Sequence, residues 1–168
     1  LVGNIGNAVL NEKKISRKTI FVVEISSYQI EYSKYFKANY AVILNISPDH
    51  LERHGNLYNY IKVKFKLVKN QTNKDFAFFN IKNQYLKKFL NKYKLNTKII
   101  DVSDKSFTKD INKIKNPYFY TRGNKENLRF IFSLANKFKL NKNYLINTIN
   151  NFKGLNFRQQ VIYNSKKL

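Results

Sequence analysis

The chain has 168 residues and a mass of 20.0 kDa, with 43% hydrophobic residues and no cysteine, so it can build one domain with its own core but no disulfide, thiolate zinc site or thiol nucleophile. Thirty-two Lys and Arg against ten Asp and Glu give a formal charge of +22, yet only Arg17, Arg53, Arg122, Arg129 and Arg158 are arginines and the lysines are dispersed among Asn, Ile, Tyr and Phe, so salt-sensitive adhesion is expected rather than specific nucleic-acid binding. No apolar run approaches the roughly 20 residues of a membrane span, and no charged-then-apolar signal segment opens the chain, so a monomer in the cytoplasm, away from membranes, is expected.

In chain order, the first signal is the turn Gly3-Asn4-Ile5-Gly6, followed by the apolar run Ile20-Phe21-Val22-Val23 ending in Glu24. That run predicts a strand over 19–24, and Ser26 to Glu31 opens a helix over 28–37. A second wholly apolar run, Ala41-Val42-Ile43-Leu44, predicts a strand over 40–44 and is followed by Asn45-Ile46-Ser47-Pro48-Asp49-His50-Leu51-Glu52-Arg53-His54. Continuous apolar runs of this length fit strands covered on both faces, as in a parallel sheet, and such sheets bind ligands beyond the carboxyl ends of their strands. If the two strands are parallel neighbours, Glu24 and His50 share one edge of the sheet.

Helices follow at 57–69, 83–93, 125–138 and 142–150, with strands at 75–80 and 97–102 between the first three; residues 103–120, with Pro117, read as a connection or irregular strands. The alternation gives an α/β fold, a mostly parallel sheet flanked by helices in a single domain over 1–168. His54, Glu31 and Glu52 read as solvent-facing, and Asp49 as a cap for the turn after Pro48. Ser26 and Ser27 could equally cap the helix that follows.

At about 100° per residue, Leu57, Tyr60, Ile61, Phe65 and Val68 form one face of the helix at 57–69, with Lys62, Lys66 and Lys69 opposite. Lys64 falls in the middle of the apolar face. A buried ammonium is costly unless paired or neutralised, so Lys64 is expected to reach out to solvent or to pair with Glu24.

Three segments together resemble the Mur ligase family: Gly3-Asn4-Ile5-Gly6 is similar to its Gly-Asn-Ile-Gly turn, Glu24 to Glu31 to its Glu-Leu-Ser-Ser-Phe-Gln-Leu-Glu segment, and Asn45 to His54 to its Asp-His loop. The likeness is strongest over 3–70 and continues in order to residue 162. It implies the family's central, P-loop ATPase-like domain and ATP-dependent amide-bond formation, with UDP-N-acetylmuramoyl-L-alanine, D-glutamate and ATP as substrates in peptidoglycan synthesis. It also implies Glu24 and His50 as Mg²⁺ ligands, and Lys64 as a carbamylated lysine, catalytic and oxygen-ligating. Asn4, Gln29 and Ser26 would then hold the muramoyl substrate. Asn124 and Asn127 match the family's Asn-x-x-Asn adenine contact, although Gly123 stands where His is usual. Arg158 matches the arginine that reaches the ATP phosphates, although Phe157 stands where His is usual.

With glycines only at 3, 6, 55, 123 and 154, the chain holds no Gly-rich phosphate loop ending in Gly-Lys-Ser/Thr, which in the family lies upstream of the position of Leu1. The chain therefore reads as an incomplete central domain lacking its first strand and that loop, without the amino-terminal uridine-nucleotide domain and the carboxy-terminal domain. Two other readings are a related ligase of the folylpolyglutamate synthetase type and a non-catalytic basic binding module.

Overall fold

A computed structural model of the chain describes residues 1–103 and 105–155, so Arg158 lies outside the described residues. Three parallel strands form the centre: β3 (Tyr40–Ile43), β4 (Phe76–Phe79) and β5 (Lys98–Asp101) lie in the order β3-β4-β5, with Tyr40 beside Phe76 and Phe76 beside Lys98. Side chains on a strand alternate between faces. Ala77 and Phe79 therefore enter one core with Ile43, while Phe78 enters another with Val102 and Phe130.

The first core is closed by α1 (Ser27–Tyr32), α3 (Leu57–Lys69) and α4 (Gln84–Lys92), through Ile30, Ile61, Phe65, Val68, Leu86 and Phe89. The second is closed by α6 (Arg122–Lys137) through Phe130 and Leu134. Parallel strands need crossover connections, and α3 and α4 supply them. A third cluster of Ile114, Phe119, Leu128, Phe132 and Ile149 joins α6 to α7 (Lys142–Asn150).

Asparagines set several helix starts. Asn56, Asn83 and Asn141 accept backbone N–H groups at the first turns of α3, α4 and α7, which satisfies donors that have no partner inside the helix. Thr121 does the same for α6, which begins three residues before the expected 125. At the other end of the chain, α1 stops at Tyr32 rather than 37. There the Ser33 hydroxyl donates to the Gln29 carbonyl and the Ser33 backbone turns extended. Among its described residues, the connection at 103–120 contains α5 (Thr108–Ile111) and a 3₁₀ turn at Pro117–Phe119 and no strand. The post-strand loop at 45–54 contains the four-residue α2 (Leu51–His54).

The strand expected over 19–24 is reduced to β2 (Val23–Glu24), paired in parallel with β1 (Val2–Gly3) as a separate two-stranded sheet. Ile20 and Val22 are 68% and 61% exposed, so this run is not covered on both faces. The reason is the shortness of its partner, since β1 offers only two residues to pair with. Among the described residues β2 makes no ladder with β3, and the two parts meet through α1, which packs along α3.

Candidate active site

At the carboxyl end of β2, Gly3 has φ +110° and lies so close to β2 that a Cβ there would collide with the Glu24 carbonyl oxygen. Only glycine permits this approach. It lets the Asn4 backbone N–H donate to that oxygen at 2.9 Å, so Asn4 and Glu24 sit side by side. Glu24 itself is half-buried, and its Oε2 is out of solvent with no hydrogen-bond partner among the described residues. An orphaned carboxylate oxygen is costly and calls for a donor or a cation.

Ser26 caps α1 in a capping box: its hydroxyl accepts from the Gln29 N–H at 3.3 Å, and Gln29 Oε1 accepts from the Ser26 N–H at 3.0 Å. The Gln29 carbonyl oxygen is thus committed to the backbone. Its amide nitrogen has no protein partner among the described residues.

Beyond β3 the chain turns through His50, whose backbone is left-handed at φ 52°. The Asp49 Oδ1 accepts from the His50 N–H at 3.0 Å, the turn cap anticipated for Asp49. The His50 ring is 42% exposed; its Nδ1 lies 3.3 Å from the Tyr28 hydroxyl and its Nε2 lies 3.5 Å from Asp49 Oδ2. Tyr60, on α3, stands 6.4 Å from the His50 ring, and Lys64 Nζ sits 4.7 Å above the Tyr60 ring. Lys64 is half-buried and stacks as a cation on an aromatic face, and among the described residues it makes no ion pair with Glu24. His50 and Lys64 thus meet the same ring from two elements.

His54 is not solvent-facing. It is 7% exposed, with Nε2 3.1 Å from the Ser27 hydroxyl and its ring between Tyr28 and Tyr60. The spacing of four residues from His50 across a short helix was the available signal. Glu31 is likewise paired, 3.1 Å from Arg53. The Arg53 guanidinium, which the sequence reading passed over, donates to the Tyr32 hydroxyl and to Glu31, and these contacts raise its pKa above the ordinary arginine value. Lys66 does not lie on the solvent face either; its Nζ donates to the Glu31 carbonyl at 2.7 Å. Arg53 and Lys66 together clamp α2 and α3 to the end of α1.

A second region is a cleft of about 1070 Å³ beyond the carboxyl ends of β4 and β5, walled by Lys82, Lys105, Arg122, Lys125 and Arg129 with Glu126. Its surplus of cations suits an anionic ligand. Neither Asn124 nor Asn127 lines it. Asn124 is 9% exposed and donates through Nδ2 to the Tyr118 carbonyl at 2.6 Å, bracing the 3₁₀ turn against α6; Asn127 is half-buried one turn on. Gly123 has open space where a Cβ would stand, so a larger side chain would fit there. Among the described residues no three His, Cys, Asp or Glu side chains gather into a metal site, and no helix is long and apolar enough to cross a membrane.

The Mur ligase middle domain family matches residues 5–148. The chain is 31% identical over 184 aligned positions to a UDP-N-acetylmuramoylalanine--D-glutamate ligase of Rickettsia bellii and 30% identical over 184 to one of Clostridioides difficile, covering 98% of this chain and 40% of each relative. Against the protein of that name from Elusimicrobium minutum it is 46% identical over 80 residues, 47% of this chain and 18% of the relative. The chain thus spans well under half the length of these curated relatives.

Proposed function

Because this chain belongs to the Mur ligase middle domain family, we propose that it forms the nucleotide- and substrate-holding core of an ATP-dependent ligase that joins D-glutamate to UDP-N-acetylmuramoyl-L-alanine in the cytoplasm. The observation that carries this reading is the orphaned buried oxygen of Glu24, set beside Asn4 and followed at once by the Ser26–Gln29 capping box.

In the reaction, the substrate carboxylate takes the γ-phosphoryl group of ATP, and the D-glutamate amine then attacks the acyl carbon, losing a proton as phosphate leaves. Crowded anionic oxygens are the main obstacle, and Mg²⁺, when bound, supplies the neutralising charge. Glu24 has the donor chemistry to hold one such ion through a hard carboxylate oxygen that has no other partner among the described residues, and His50 to hold a second, together with a carbamate on Lys64, through an imidazole nitrogen. Lys64 contributes in a changed form: its neutral amine takes up carbon dioxide and releases a proton, which converts the cation over Tyr60 into an anionic oxygen donor.

Asn4 and the free amide nitrogen of Gln29 bind the muramoyl substrate, while Ser26 holds Gln29 in place through the capping box. The basic cleft takes the nucleotide, with Asn124 shaping its wall from behind; the roles of Asn127 at the adenine and Arg158 at the phosphates rest on the family resemblance alone. The test is phosphate release from ATP by a ligase carrying this chain as its middle domain. Release that requires both UDP-N-acetylmuramoyl-L-alanine and D-glutamate supports the reading. Release driven by another amino acid or by a folate would replace it.

A further inference from the structure

His50 has two ring nitrogens, and only one can face a metal. A ligating imidazole normally donates its other N–H to a fixed acceptor, which sets the tautomer and aims the lone pair. Three oxygens surround this ring. Glu52 Oε1 lies 3.8 Å from Nδ1, too far for a hydrogen bond, and Asp49 Oδ2 lies 3.5 Å from Nε2 while its sister oxygen is held by the His50 backbone. The Tyr28 hydroxyl, at 3.3 Å from Nδ1, is the nearest.

Tyr28 is itself fixed. It stands on α1, its ring meets His50 edge-on at 5.2 Å and packs 5.8 Å from His54, and the Arg53 guanidinium lies 5.9 Å from its centroid.

We propose that Tyr28 is a positioning residue whose hydroxyl oxygen accepts the Nδ1 proton of His50, so that the Nε2 lone pair is the one offered to a divalent cation. The inference rests on the reading of His50 as a metal ligand. It adds a choice of nitrogen and a group that makes the choice.

The chain contains only two histidines, so nitrogen NMR of the ¹⁵N-histidine-labelled protein resolves the question without an activity assay. At a pH where both imidazoles are neutral, His50 should be mainly the Nδ1–H tautomer. In Tyr28→Phe the ratio should swing about fivefold toward Nε2–H, the form favoured in water, as loss of one net hydrogen bond requires. The His54 signal, buried against Ser27, should stay in place and serve as the control for folding.

Mn²⁺, added as a stand-in for Mg²⁺, should broaden His50 Nε2 more than Nδ1 in the wild type. A wild-type His50 that is mainly Nε2–H overturns the proposal by itself, even if Tyr28→Phe does not fold. An unchanged tautomer in a folded Tyr28→Phe does the same. Either result leaves the metal reading of His50 standing if Mn²⁺ still broadens its ring. The expected tautomers without any Mn²⁺ effect on His50 would instead remove His50 from the metal site, and the inference would fall with it.

Discussion

Around β4 the chain buries Phe78, Phe79 and Leu86 completely, whereas along β2 it leaves Ile20 and Val22 mostly in solvent. The thick half holds itself together with two cores on either side of β3-β4-β5. The thin half has a two-residue ladder, yet Asn4, Glu24, Ser26 and Gln29 hang on it or follow directly from it. Asn4, Glu24, Ser26 and Gln29 thus sit where little hydrophobic surface is buried, while His50 follows β3 and Lys64 stands on α3 beside the core, and the two groups are brought together at the junction of α1 with α2 and α3. Folding stability and site geometry should be separable by mutation.

The most severe test is in the core. Phe78→Ala should cost about 3–5 kcal/mol, since it opens a cavity in a fully buried place, whereas Val22→Ser should change stability by less than about 0.5 kcal/mol. Urea denaturation of the two variants measures both. Equal losses would erase the distinction between the halves.

Next come the site residues, in a ligase carrying this chain as its middle domain. Glu24→Gln, His50→Ala and Lys64→Ala should each lower turnover by at least ~10² while moving the urea midpoint little. Acetate should restore part of the Lys64→Ala activity by standing in for the carbamate, whereas Lys62→Ala, on the exposed side of α3, should be near normal. Near-normal turnover for any of the first three removes that residue from the site.

Acid sensitivity should belong to the thick half. Asp75 is 2% exposed, and the Lys37 ammonium at 2.9 Å, followed by the Thr72 N–H at 2.7 Å, holds its carboxyl far below the usual carboxylate range. Because the folded value is depressed, the stabilisation is complete above the unfolded value near ~3.9 and is lost as pH falls below it. Wild-type stability should therefore drop between pH 5 and 2 (about the range of that titration) more than that of Asp75→Asn. Parallel acid profiles would show that this carboxylate is not responsible.

The mildest effect is expected at the junction. Lys66→Ala should cost about 1 kcal/mol, by losing the hydrogen bond from Nζ to the Glu31 carbonyl. A stability unchanged in urea would mean that this hydrogen bond adds nothing to the hold of Arg53 and Ile30 on α1.

Sequence patterns captured the thick half closely. The spans of α3 and α7 came out as read, and β3, β4 and β5 each lie within a residue or two of the expected strand, because apolar runs and 3.6-residue periodicity extend over enough positions to be seen. The four-residue α2 and α5 carry no such period. The 19–24 run looked like a buried strand because periodicity measures apolarity and cannot report whether a neighbour is there to cover it. At the proposed site, Glu24, His50 and Lys64 stand out in the sequence by residue type and by their place in it, and their roles remain the proposal's. The burial of His54 and the pairings of Glu31, Arg53 and Lys66 do not, since each depends on contacts between elements more than 20 residues apart.

The left-handed backbone at His50 sets folding against chemistry. A side chain there costs roughly 1 kcal/mol that glycine would not. A library of variants ranked only by heat resistance or expression would therefore favour His50→Gly, and would discard the imidazole while appearing to improve the protein. Selection for the reaction would have to restore histidine against that gradient.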